Sequence, residues 1–280
     1  MSRLILQGSH LNRDVVEQIS IKIDGKISQN SAYAIIDTDT AELIELDVLR
    51  NQYNVDINVI PDDFDVRKTQ LLVTDMDSTL INIECVDEIA DFINVKPQVA
   101  EITEAAMRGE IDFETSLRQR VSLLKGLDVT ALEAVYQQRL QLNPGAELML
   151  KSLQQHGIKT ALVSGGFTFF TQRLKQRLGL DFTMANVLGE YNGKLTGEVV
   201  GEVCGAKAKA DFLLAHCDKL GILPTNVVAI GDGANDLLMM DQAGLSVAYH
   251  AKPKVQQQAK TVLNHCGLEG VLGLLQHTYN

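Results

Sequence analysis

The chain has 280 residues, 45% of them apolar, with four cysteines and a formal net charge of −11 at neutral pH. That length can bury a sizeable core and suits one or two domains, and the acidic balance argues against nucleic acid or a membrane surface as the main partner. No run approaches the ~18 apolar residues of a membrane span, no basic segment leads into an apolar stretch at the start, and the cysteines lack CxxC spacing; a soluble cytoplasmic protein with free thiols is expected.

Residues 1–66 read as a small α/β unit. Residues 3–7 alternate as a strand, and 12–23 place Val15, Val16, Ile19 and Ile23 at helical spacing, with Gly25 as the stop. Residues 26–28 and 32–36 read as strands. Thr40 is placed to cap a helix running to Tyr53, with Glu42 and Glu45 in its early turns. Residues 55–60 alternate again and Pro61 stops them. Strand–helix–strand–strand–helix–strand is a ferredoxin-like order. Residues 61–65 form a polar, turn-prone linker.

The larger part, 67–280, opens on the apolar run 71–74, which suits a strand buried on both faces of a parallel sheet. It ends on Asp75 and Asp77, and extended residues two apart point the same way. Two carboxylates so close repel, and a divalent cation is the simplest remedy. Alone, Asp-x-Asp is more often a solvated turn. The next strand comes only at 160–164, too far for one crossover helix. Between them, 86–93, 98–107, 113–124, 130–140 and 145–156 are helical in pattern. The spacing predicts a helical cap over about 84–140, with 145–156 returning to the sheet and Met107 and Phe113 lining the cap interior or its core.

Beyond it, 161–163 run into Ser164-Gly165-Gly166, and a helix is expected over 167–178. Glycines at such a turn let backbone N–H groups approach an anion. A strand at 182–185, a hairpin around Asn192-Gly193, a helix at 206–220, and buried strands at 227–230 and 245–248 with a helix at 236–243 between them follow, and 255–260 and 268–276 close the fold. This alternation gives an α/β, doubly wound, mostly parallel sheet, whose ligands bind at the C-terminal strand ends.

Four of these stretches stand in a telling order: Asp75 with Asp77, Ser164, Lys209, then Asp232 with Asp236. They resemble the four motifs of the haloacid-dehalogenase-like phosphatases. The Asp-Met-Asp-Ser-Thr version, with Glu84 and the Ser-Leu-Arg-Gln-Arg segment 116–120, resembles the phosphoserine phosphatases among them. The resemblance covers about residues 70–280. It implies hydrolysis of O-phosphoserine to serine and phosphate, the last step of serine synthesis, through an aspartyl-phosphate. Asp75 would be the nucleophile and Asp77 the general acid and base. Mg²⁺ would be held by Asp75, Asp232 and the Asp77 carbonyl, with Asp236 and Asn235 in support. Ser164, Gly165 and Lys209 would bind phosphate; Lys207 competes with Lys209 for that role. Glu84 would meet the substrate ammonium and Arg120 its carboxylate, although by itself Glu84 reads as a helix N-terminal acid and Arg118 or Arg120 as a solvated face. For residues 1–66 the resemblance implies an ACT-like regulatory or dimerising module, compatible with a homodimer; a packing appendage fits equally well. Another small phosphomonoester as substrate, or a non-catalytic amino-acid sensor, are the alternatives.

Overall fold

The computed structural model describes residues 2–30, 32–39 and 45–277. Its first part is a four-stranded antiparallel sheet in the order β2-β3-β1-β4. The chain runs β1 (Ser2–Gln7), α1 (Arg13–Lys22), β2 (Lys26–Asn30), β3 (Ala34–Thr38), α2 (Leu46–Tyr53) and β4 (Asp56–Val59), the ferredoxin-like order. Asn12 caps α1 by accepting the Val15 N–H at 3.0 Å. The proposed Thr40 cap and Glu42 lie outside the described residues. The α2 helix begins only at Leu46, behind Glu45, which makes no side-chain cap. Period-2 alternation sorts β1: Leu4 and Leu6 pack with Val16, Ile19 and Leu49 under the helices, while Ile5 faces the other way into the main core.

The second sheet has seven strands in the order β11-β10-β9-β5-β6-β7-β8. β5 (Leu71–Thr74), wholly buried, is central. It is followed by α3 (Cys85–Phe92), α4 (Lys96–Met107), α5 (Phe113–Ser122) and α6 (Thr130–Gln138), the inserted cap. Asp112 caps α5 through the Thr115 N–H, and Asp128 holds the Thr130 N–H at the start of α6. The side chain of Met107 lies outside the described residues. The chain crosses out to the cap and back side by side: Asn82 donates its N–H to Gln141, and Asn143 spans to the carbonyls of Thr79 and Ile81.

α7 (Ala146–Gln155) returns to β6 (Lys159–Phe167), then α8 (Thr168–Leu178), β7 (Phe182–Tyr191) and β8 (Lys194–Val200). Phe167, expected to open a helix, instead ends β6. The β7–β8 turn has Asn192 and Gly193 both at positive φ, 50° and 76°, as a tight hairpin requires. β8 is the single antiparallel member. α9 (Ala206–Leu220), β9 (Val227–Gly231), α10 (Leu237–Gln242), β10 (Leu245–Tyr249), α11 (Pro253–Gln258), β11 (Thr261–Leu263) and α12 (Gly270–Leu274) complete the chain. β11 has no counterpart in the sequence reading. Among the described residues no helix is long and apolar enough to cross a membrane.

The two sheets meet edge to edge. Alternation along β4 would put Asp56 and Asn58 in water, yet they are 1% and 0% exposed. Asn58 brackets Val262 of β11, donating from Nδ2 to its carbonyl at 2.9 Å and accepting its N–H at 2.8 Å. Asp56 accepts the backbone N–H groups of Asn264, His265 and Cys266 at 2.7, 2.9 and 3.1 Å. An exposed strand edge invites pairing with another chain, and this contact covers it. Asp56→Ala would strand three partly buried donors. It is expected to lower unfolding free energy by about 3 kcal/mol, read from denaturant melts.

Candidate active site

The site grows out of three neighbouring parallel strands. β5 lies between β6 and β9, so the residues following each strand gather at one end of the sheet. Asp75 follows β5, Ser164 lies in the last turn of β6 and Asp232 follows β9. Lys209 comes from the first turns of α9 and is 0% exposed. Its Nζ lies 2.7 Å from Asp75 Oδ1 and 2.7 Å from Asp236 Oδ1. Lys207 stays outside, paired with Asp211 on the exposed helix face. Of the two lysines, Lys209 is the one buried among the acidic residues.

Asp236 spends its second oxygen on the N–H groups of Asp232 and Gly233, at 3.2 and 3.0 Å. A Cβ on Gly231 would come within 2.5 Å of the Asp236 carboxylate, so only glycine lets this carboxylate reach back over the strand end. Asp75 Oδ1 also accepts the Met76 N–H at 2.7 Å. Thr79 donates to Asp232 Oδ1 at 3.1 Å. Carboxylate oxygens of Asp75, Asp232 and Asp236 lie within 4.8 Å of one another. Asp75 Oδ2 and Asp232 Oδ2 have no hydrogen-bond donor among the described residues. These two hard oxygens beside a third carboxylate fit a small divalent cation such as Mg²⁺.

Asp77 turns away from the strand direction. The chain after Asp75 makes a wide turn through Met76–Leu80 in which Ser78 has φ 56°. Asp77 Oδ1 receives the Cys85 N–H at 3.4 Å. A Cβ on Gly166 would meet Asp77 Oδ2 at 3.0 Å and Ser164 Oγ at 3.1 Å, so both groups crowd the same side of this glycine. Ser164 Oγ accepts the Gly166 N–H at 2.8 Å. Asn235 sits beside Gly233, whose Cβ would clash with its Oδ1.

Burial and neighbouring charges together shift the titration of this cluster. Burial pushes Asp75 well up, with Asp236 adding to it and Lys209 opposing. Burial and Glu84 raise Asp77 to about 7. Burial and Asp236 raise Asp232 to about 6. For Lys209, burial works against the charge, but Asp236 and Asp75 outweigh it and hold the ammonium protonated.

The cap contributes from above. Glu84, exposed at the start of α3, accepts from Ser78 Oγ at 2.7 Å. Arg120 is partly buried, donates to the Ser116 carbonyl at 3.4 Å, and makes no ion pair among the described residues. Its acidic neighbours are Asp87, Glu84 and Asp77, while burial lowers its pKa. Arg118 behaves as a surface residue, bonded to Glu114 and the Val199 carbonyl. The Phe113 ring lies against both Gly165 and Gly205. Thr79 and Ser78, which orient Asp232 and Glu84, sit inside the acidic motif and were legible only as its spacer residues. Asn186, which reaches Gly165, carries no sequence signal at all.

A buried lysine between two carboxylates at the C-terminal end of the sheet, beside a third, suits a hydrolase that handles phosphate. Residues 69–244 match the model of the haloacid dehalogenase-like hydrolases. The chain is 53% identical over 225 residues to a phosphoserine phosphatase of Polaromonas sp. strain JS666, covering 79% of this chain and 95% of that one. The crystal structure of a probable phosphoserine phosphatase from Vibrio cholerae superposes with a TM-score of 0.86 at 41% identity, over 98% of this chain and 86% of that one. A substrate-bound phosphoserine phosphatase complex superposes with a TM-score of 0.68 at 41% identity, over 73% of this chain and 97% of the other. The chain belongs to the haloacid dehalogenase-like hydrolases and, within them, to the phosphoserine phosphatase family.

Proposed function

We propose that the chain hydrolyses O-phosphoserine to serine and inorganic phosphate in the cytoplasm, with Mg²⁺. The observation that carries this reading is Lys209, fully buried and 2.7 Å from both Asp75 and Asp236 at the end of the central strand. Asp75 attacks phosphorus, a carboxylate O–P bond forms, and the P–O bond to serine breaks. Asp77, near pH 7 in its titration, gives its proton to the leaving serine oxygen. It then takes a proton from the water that cleaves the aspartyl-phosphate, releasing phosphate and restoring Asp75. Lys209, Ser164 and the Gly165 N–H hold the equatorial oxygens, where the loose transition state gathers charge. Asp236 keeps Lys209 aimed, and Asn235 supports that turn.

Asp75, Asp232 and the Asp77 carbonyl would hold the cation. Bound there, it offsets the burial and mutual repulsion of the carboxylates and the charge of the phosphate. Glu84 and Arg120 recognise the ammonium and carboxylate of the substrate, a charge pair matched to a zwitterion. Four free thiols accord with a reducing compartment. We read residues 67–280 as the catalytic unit and 1–66 as a module covering its β11 edge; the Asp56 and Asn58 contacts support this division.

Phosphate release from a panel of phosphomonoesters, with and without Mg²⁺, tests the reading. Phosphoserine is expected to be the best substrate and chelation to abolish turnover. Equal kcat/KM for an ester lacking both amine and carboxylate would remove the roles given to Glu84 and Arg120. No release from any ester would remove the phosphatase reading itself.

A further inference from the structure

The turn carrying Ser164 is a break in a ladder. β6 and β7 pair in parallel up to Val163↔Met184, and pairing resumes at Phe167↔Asn186. Residues 164–166 of β6 therefore face Ala185 alone. The bulge pushes Ser164 and Gly165 toward the site and takes them out of the regular strand pairing. Asn186, 1% exposed, bonds across the gap. Its Nδ2 donates to the Gly165 carbonyl at 2.8 Å, and its Oδ1 accepts the Cys204 N–H at 2.7 Å. Cys204 leads directly into Gly205, whose carbonyl accepts the Lys209 N–H at 3.0 Å in the first turn of α9. One side-chain amide thus connects the loop that bears Ser164 to the backbone that starts the Lys209 helix. The Phe113 ring of the cap rests on the two glycines, Gly165 and Gly205, that flank this connection.

We propose that Asn186 is a positioning residue for phosphoryl transfer: it fixes the distance between the Ser164–Gly165 donors and Lys209. The proposal rests on the phosphatase reading above. Ser164 and Lys209 come from different elements, and a misplacement of about 1 Å costs on the order of a hundredfold in rate. The position demands a donor and an acceptor in one planar group, which the asparagine amide supplies. Aspartate would set an oxygen against the Gly165 carbonyl, and leucine would satisfy neither partner.

The test is made on full-length N186D and N186L, with folding checked by thermal melts. For each, kcat is measured, together with the inhibition constants of inorganic phosphate and of L-serine. Expected are a fall in kcat of about tenfold or more and a rise in the phosphate constant of about fivefold, with the serine constant within about twofold of the parent. The split follows because Asn186 bonds the Ser164–Gly165 loop and the start of the Lys209 helix, whereas Glu84 and Arg120 belong to the cap helices α3 and α5. A folded variant with parental kcat, or phosphate and serine constants shifting by the same factor, overturns the proposal. Any phosphomonoester that is turned over can report these constants, so a wrong substrate assignment leaves the test standing. Should both variants unfold, hydrogen exchange in the unmodified protein decides. The Cys204 amide is expected to be protected about a hundredfold; exchange at the unprotected rate overturns the inference.

Discussion

Asp75→Asn is expected to lower kcat for phosphate release by about 10⁴-fold or more while leaving the fold intact. The substitution is nearly isosteric, so packing at the end of β5 is kept. What disappears is the proposed nucleophile, since a neutral amide cannot form the acyl phosphate. Lys209 retains its second partner, Asp236, at 2.7 Å, so no buried ammonium is stranded. Burial and Asp236 both press against the Asp75 charge, and relieving that pressure should hold or raise the melting temperature. Activity and stability therefore move in opposite directions. Substantial residual turnover in a well-folded variant would assign the attack to another group. Collapse of the fold would instead make Asp75 a structural partner of Lys209 first and a nucleophile second.

The parts of the molecule that were legible beforehand are those whose physics is local. The apolar run before Asp75 reads as a buried strand because every residue in it is apolar or β-branched. Asn192-Gly193 reads as a hairpin because few other pairs accept positive φ at both positions. Lys209 and Asp236 were legible from motif order. Their mutual distance was not, since it depends on Gly231 leaving room for a carboxylate. What escaped depends on partners far along the chain. β11 is three residues long, too short for a periodic signal, and exists as a strand because β10 pairs with it. Asp56 and Asn58 alternate like solvent-facing residues and are buried because the β11 edge and the loop after it meet them. Phe167 has a helical neighbourhood, yet it closes the bulged end of β6 opposite Asn186. The acidic turn differs from a simple extended strand because Ser78 adopts φ 56°, bringing its hydroxyl to Glu84.

Arg120→Ala should change which substrate is used more than whether chemistry occurs. Arg120 is half-sheltered on the cap, its charge shared only diffusely with Asp87, Glu84 and Asp77, and no acid is within ion-pair distance among the described residues. A guanidinium keeps its charge even when burial lowers its pKa. On the proposed reading the substrate carboxylate docks on this cation, and a charged hydrogen bond of this kind is worth about 2–4 kcal/mol when one partner is truncated. At about 1.4 kcal/mol per tenfold, kcat/KM for phosphoserine is expected to fall by roughly 30- to 700-fold. An ester without the carboxylate never engages the guanidinium, so its kcat/KM should stay within about threefold, and the preference between the two collapses. Arg118→Ala provides the contrast: its guanidinium is already spent on Glu114 and the Val199 carbonyl, so both substrates should be nearly unaffected. If both esters lost activity equally in Arg120→Ala, the residue would be acting on the reaction or on cap packing. The charge complementarity that makes phosphoserine the favoured guest would then have to come from elsewhere in the pocket.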